Sequence, residues 1–182
     1  DYSKGILNRL KGFRMFLEKN PKWHKKVTMI AVTVPSRIGV ERYSQMKKEI
    51  DEIVGKINGQ YSTLNWTPII YQYRSLDNEE LSAIYKISDV ALITPLRDGM
   101  NLIAKEYIAS RTGGTGVLIL SEMAGASKEM IETITINPNH IENIAEAINT
   151  SLEMTKEEQI KRNSNIRKRL KTNDVIKWAN NY

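Results

Sequence analysis

Val27-Thr-Met-Ile-Ala-Val-Thr-Val34 is an uncharged run of eight apolar and β-branched or hydroxyl side chains, and its reading decides the fold. A strand covered on both faces cannot alternate apolar with polar residues, so it appears as a continuous apolar run. Pro68-Ile-Ile-Tyr-Gln-Tyr73, Asp89-Val-Ala-Leu-Ile-Thr94 and Gly116-Val-Leu-Ile-Leu120 have the same character, and Thr133-Ile-Thr-Ile136 is a short fifth run. Helical spacing fills the intervals. Ile6, Leu10, Phe13 and Leu17 share one face, closed by Asn20-Pro21. Tyr43, Met46, Ile50, Ile53, Val54 and Ile57 share another, with Gly59 read as its stop. Asp77 followed by Glu80 predicts a capping box ahead of Leu81, Ile84 and Tyr85. Further helices are expected over 101–110, 140–152 and 156–170. Strand and helix in alternation, with short connections, predict an α/β fold: a doubly wound, Rossmann-like parallel sheet with helices on both faces. No internal repeat or linker interrupts it, so residues 1–182 read as a single domain.

Composition narrows the class. The chain has 182 residues, with 41% apolar and 26% charged residues, close to an ordinary globular domain. Without cysteine there is no disulfide framework, thiolate nucleophile or cysteine-held metal. The two histidines, His24 and His140, lie too far apart for metal-ligand spacing. No DxD motif is present, so no metal or other cofactor is expected. No apolar run approaches a membrane span. The opening Asp-Tyr-Ser-Lys is not a basic-then-apolar leader, so a cytoplasmic location without membrane contact is expected. The chain lacks an initiator Met and reads as a piece of a longer one. Its net charge of +6 suits an anionic partner, whether nucleic acid or a phosphorylated metabolite. The densest basic cluster, Arg162 to Lys171, reads as the solvated face of a terminal helix. No groove-reading motif accompanies it, so nucleic acid is not the expected partner.

Ligands of doubly wound sheets bind at the carboxyl ends of the strands, which directs attention to 35–39, 73–76, 95–101 and 121–127. In Pro95-Leu-Arg-Asp-Gly-Met-Asn-Leu102, Gly99 reads as a close turn opening a helix whose first amides can meet an anion. Asp98 and Glu106 fall about two turns apart along it. That spacing suits two polyol contacts, or equally an N-terminal charge and a surface carboxylate. Lys4-Gly5, at the start of the first helix, suits a phosphate or is an ordinary solvated lysine. Arg37, just beyond a strand end, can hold a phosphate bidentately or form a surface ion pair. Gly113-Gly114 and Gly125 permit close backbone approach. Trp23, Trp66 and Trp178 read as packing residues rather than sugar platforms.

In order along the chain stand Asp1-Tyr-Ser-Lys-Gly5, Val34-Pro-Ser-Arg37, Ile57-Asn-Gly59 with Trp66-Thr-Pro68, Tyr73-Arg-Ser-Leu76, Thr94-Pro-Leu-Arg-Asp-Gly-Met-Asn-Leu102 with Ala104-Lys-Glu-Tyr107, and Leu120-Ser-Glu-Met-Ala-Gly-Ala126. Together they resemble the C-terminal half of the trehalose-6-phosphate synthases, retaining glycosyltransferases of the two-domain GT-B architecture. Asp98 and Glu106 also resemble the E-x7-E pattern of retaining GT-B enzymes, with Asp in place of the first Glu.

The resemblance implies a donor-binding domain of an enzyme that transfers glucose from UDP-glucose to glucose 6-phosphate, with an N-terminal acceptor domain absent from this chain. It implies Lys4 at the donor diphosphate, Leu76 at the nucleotide base and Asp98 on the donor glucose, with Lys4 and Asp98 as the catalytic pair. Gly99, Met100, Asn101, Leu102, Ile103, Ala104, Lys105 and Glu106 would run past the diphosphate and ribose, Glu106 taking the ribose hydroxyls. Arg37 would reach the acceptor phosphate. An Arg that precedes Asp-Tyr-Ser-Lys in the family is not in this chain. The resemblance leaves open a homo-oligomeric full-length enzyme. It also leaves open a non-catalytic, synthase-like module that binds nucleotide sugar or proteins.

Overall fold

The computed structural model describes residues 1–35 and 41–172. All five expected strands form: β1 (Met29–Val32), β2 (Ile69–Gln72), β3 (Val90–Ile93), β4 (Val117–Ser121) and β5 (Ile134–Ile136). Six α-helices accompany them among the described residues: α1 (Ile6–Lys19), α2 (Glu41–Tyr61), α3 (Asn78–Ile87), α4 (Leu102–Ser110), α5 (Ile141–Glu153) and α6 (Lys156–Thr172). Every strand pairing is parallel. β1 is shorter than its apolar run because the run's first residues bond elsewhere. The Val27 carbonyl accepts from Trp66 Nε1 at 3.0 Å, and Thr28 Oγ1 donates to the Thr67 carbonyl at 3.1 Å.

The five strands do not form one sheet. β1 pairs with β2, while β3, β4 and β5 form a second sheet in that order. A doubly wound sheet places its first strand in the middle, between the two halves of the order. Among the described residues β1 pairs only with β2, and β3 only with β4. The two sheets are instead joined by a shared core. Leu10, Phe13, Phe16 and Leu17 of α1 pack in one cluster with Ala31 of β1, Ile69 of β2, Ile119 of β4 and Ile136 of β5. α1 lies against α5 and α2. These three helices form one layer, while α4 contacts β3 and β4 together with α3 and α6.

Full coverage of both faces holds for β4, where all five residues are buried. It fails for β1 and β2. Ile30 and Ile70 face each other in register and are 37% and 46% exposed. The apolar run of β1 therefore overstates its burial, because apolar sequence reports what a strand can bury rather than what covers it.

Two helix boundaries also move. α2 runs past Gly59 to Tyr61. A Cβ at Gly59 would meet nothing, so this glycine is a helical surface residue rather than a stop. The turn that follows is held by Asn58, whose side chain donates to the Ile69 carbonyl and accepts from its amide at 2.9 and 3.0 Å. α6 is not merely a solvated face. Arg169 forms a bidentate pair with Glu132, and Arg162 and Arg167 donate to the carbonyls of Glu132 and Ile108. Within the cluster Arg162 and Arg169 are paired with the carboxylates of Glu158 and Glu132, so part of its charge is spent within the chain.

Gly12 marks the closest approach of α1 and α5. A Cβ there would fall 2.4 Å from Ile144 Cγ2 and 2.7 Å from Ile144 Cβ. Gly12→Ala gains about 1 kcal/mol of helix propensity but overpacks a filled seam at a cost of about 1–3 kcal/mol. We expect a net loss of stability, read as a lower denaturant midpoint with an unchanged slope.

Candidate functional site

The segment from Thr94 to Asn101 leaves the carboxyl end of β3 and is held from both sides. On one side lies a short helical turn over Tyr2–Lys4, capped by the Asp1 side chain. The Leu96 amide donates to the Ser3 carbonyl at 2.7 Å, and the Thr94 hydroxyl donates to the Gly5 carbonyl at 3.3 Å. Gly5 has φ +66°, and a Cβ on it would lie 2.0 Å from the Thr94 carbonyl oxygen. No other residue type fits that joint.

On the other side lies the loop after β4. Asp98 N–H donates to the Met123 carbonyl, Gly125 N–H to Asp98, and Ala126 N–H to Met100, at 3.2, 3.1 and 3.0 Å. A Cβ on Gly125 would lie 1.8 Å from the Gly99 carbonyl oxygen. The close approach expected of Gly125 forms, and the close turn expected of Gly99 does not. Gly99 has open space at its Cβ position and makes no close approach. Gly125 makes the close approach, and Asn101 takes the left-handed turn at φ +70°.

Asn101 is the residue that spacing alone missed. It caps α4, its side-chain oxygen accepting from the Ala104 amide at 3.1 Å, while its amide nitrogen donates to Asp98 Oδ2 at 3.0 Å. Asn is among the few non-glycine residues that tolerate this backbone, and its side chain serves as a helix cap. Both properties were available in the sequence, but Gly99 drew the attention. With Ala104 capped, the amides of Leu102 and Ile103 have no acceptor among the described residues. The two residues are 59% and 52% exposed, so the helix start opens to solvent.

The expected site residues divide into groups. Lys4 and Asp98, distant in sequence, are brought together: Lys4 Nζ lies 2.7 Å from Asp98 Oδ2. The Asp98 side chain is 15% exposed and that of Lys4 48%, so the pair sits at the wall of an open surface. Glu106 lies on the exposed side of α4 and accepts from the Tyr85 hydroxyl of α3 at 3.1 Å. Burial, with this bond second, pushes the Tyr85 phenol far above its ordinary range. Lys105 pairs with Glu129 at 2.8 Å. Met100 is exposed, and Ala104 is fully buried in the α4 core, where it can offer a ligand only its backbone. Leu76 is half-buried in the loop between β2 and α3, just before the capping box of Asp77 and Glu80, which forms as expected. Arg37 and Trp178 lie outside the described residues.

The histidines serve the fold: His140 caps α5, and His24 Nε2 lies 2.9 Å from the Leu17 carbonyl. Trp23 and Trp66 likewise spend their indole N–H groups within the chain, on Asn149 and Val27. Among the described residues no helix is long and apolar enough to cross a membrane. A cleft of about 330 Å³ lies across the Tyr2–Lys4 turn from Asp98, lined by Tyr2, Ile6, Arg42 and Met46 among others. It includes neither Asp98 nor Glu106.

The family model for glycosyltransferase family 20 matches residues 1–182. The chain belongs to this family. A bifunctional trehalose-6-phosphate synthase/phosphatase of Thermoproteus tenax is 50% identical over the whole chain, which spans 25% of that protein. Among solved structures, an α,α-trehalose-phosphate synthase (UDP-forming) from Burkholderia xenovorans in complex with glucose 6-phosphate is 35% identical with a TM-score of 0.96. All of this chain matches 40% of that one. An E. coli family member bound with UDP-2-fluoro glucose is 38% identical with a TM-score of 0.95, over 98% of this chain and 40% of that one. The chain thus spans a quarter to two-fifths of these relatives. The mixed α/β fold with parallel strands is that of the family.

The Gly125–Gly99 contact supports Asp98, so it can be tested without a ligand. We expect Gly125→Ala to push the 95–101 segment off the loop after β4 and cost about 1–3 kcal/mol, as other overpacked contacts do. Amide exchange should accelerate at Asp98 and Ala126 ahead of the β4 amides.

Proposed function

We propose that this chain is the donor-binding half of a retaining glycosyltransferase that moves glucose from UDP-glucose to glucose 6-phosphate, forming trehalose 6-phosphate. One observation carries the reading: Lys4, Asp98 and the open amides of Leu102 and Ile103 converge at the carboxyl end of β3. A cation and two helix N-terminal amides suit a diphosphate. A carboxylate beside them suits the hydroxyls of the attached sugar. Glu106, about two turns along α4, suits the ribose, and Leu76 the base. The relatives bound to glucose 6-phosphate and to UDP-2-fluoro glucose lend the substrates.

The chemistry follows from charge. As the glycosidic bond to the diphosphate lengthens, negative charge gathers on the leaving oxygen and positive charge on the sugar ring. Lys4 and the α4 amides meet the first without a metal ion. Asp98 holds the sugar hydroxyls and lies near enough to favour the second. In the ligand-free chain Lys4 and Asp98 neutralise each other. Donor binding divides the pair, giving Lys4 to phosphate and Asp98 to sugar. Lys4 is about half exposed and Asp98 largely covered, and the rupture of their pair is offset by two charge-assisted contacts to the donor. Arg37, expected to hold the acceptor phosphate, and a second domain closing over the site would complete the machinery and exclude water. The enzyme is read as working in the cytoplasm.

Titration calorimetry tests the donor half. UDP should bind the chain weakly. Glu106→Ala should weaken it roughly ten- to a hundredfold, because a charge-assisted bond to a ribose hydroxyl is worth about 1.5–3 kcal/mol. Tyr85→Phe, which removes the competing donor from Glu106, should not weaken it. A Glu106→Ala chain that binds UDP like the wild type would remove the ribose assignment. In a coupled assay for released UDP, the chain alone should show no turnover comparable with a two-domain synthase.

A further inference from the structure

Arg9 in the second turn of α1 makes two side-chain bonds, both to neutral oxygens. Its Nε donates to Thr94 Oγ1 at 3.2 Å and its Nη2 to the Lys4 carbonyl at 3.3 Å. Among the described residues it forms no ion pair with a carboxylate. The residue keeps part of its surface, yet enclosure of the guanidinium lowers its pKa to about 10. It is still a cation at neutral pH. Arginine normally offsets the loss of hydration with a carboxylate. This one instead leaves its charge unneutralised beneath the turn that carries Lys4.

Its two partners matter. Thr94 is fully buried at the carboxyl end of β3, and its hydroxyl also bonds the Gly5 carbonyl. Arg9 therefore ties the peptide between Lys4 and Gly5 to the strand end from which the Asp98 segment departs. Lys4 reaches Asp98 from a main chain held in this way. A cheaper tie, from a neutral side chain, would satisfy the same two oxygens. The charge needs a separate account.

We propose that Arg9 is a positioning residue for the donor diphosphate: it fixes the main chain of Lys4 and holds an unneutralised positive charge behind it, which the phosphates complete. This rests on the donor reading of the site. Arg9 does not touch the sugar or take part in bond breaking. The arriving diphosphate gives it the negative neighbour that the free chain does not, so binding gains from Arg9 in proportion to the ligand's charge.

Uridine and UDP separate this role from a structural one, since they differ only in the diphosphate. Arg9→Gln keeps a hydrogen-bond donor and removes the charge, and Arg9→Lys keeps the charge. We expect Arg9→Gln to weaken UDP about tenfold and uridine not at all, and Arg9→Lys to recover UDP binding to within about threefold. The Gln effect should shrink at high salt. On the wild type, the Arg9 Nε–H resonance should shift with UDP and stay in place with uridine, which needs no variant to fold. Equal losses for uridine and UDP, an unaffected Arg9→Gln chain, a Lys variant as weak as Gln, or a resonance indifferent to UDP would each overturn the proposal. A wild-type chain that fails to bind UDP would instead overturn the donor reading itself.

Discussion

The site hangs on the clamp at the carboxyl end of β3. The 94–101 segment lies between two loops that each press a glycine against its backbone, Gly5 at Thr94 and Gly125 at Gly99. Lys4, Asp98 and Asn101 derive their places from that clamp. Lys4 rides the turn that Gly5 ends, Asp98 takes main-chain bonds from the loop of Gly125, and Asn101 both caps α4 and steadies Asp98. Rigid backbone contacts of this kind hold a charged pair in register at little entropic cost, because the loops have few conformations left to lose.

The core explains how the clamp is kept flat. α1 packs against α5 on one side and α2 on the other and contributes four large buried side chains. The same helix begins at the Gly5 joint. Its burial therefore fixes the turn that carries Lys4, and the hydrophobic core and the charged site share one element.

Much of this was legible in the residues. Parallel strands and most helix positions followed from continuous apolar runs and helical spacing, and the Asp77–Glu80 box from its own chemistry. The block from Thr94 to Leu102 pointed to the right loop. What was not legible was relational. Gly99 and Gly125 are indistinguishable as letters, and only the approach of a second loop decides which one is obligatory. Asn101 stands in the run expected to pass the donor, but its left-handed turn and its bond to Asp98 are features of the fold. Nothing in the sequence marks Arg9, because its lack of a carboxylate partner depends on tertiary surroundings. The exposure of Ile30 and Ile70 escaped for the same reason: hydropathy cannot say which face lacks a cover.

The one-sided pairing of β1 and β3 has a consequence for how copies of this chain meet. Each carries a row of backbone donors and acceptors with no described strand to pair it, and such rows are templates for pairing with another chain. Ile30 and Ile70 add a sticky apolar face beside one of them. At high concentration a second copy is the most abundant peptide in solution. The net charge of +6 keeps copies apart and works against that pairing.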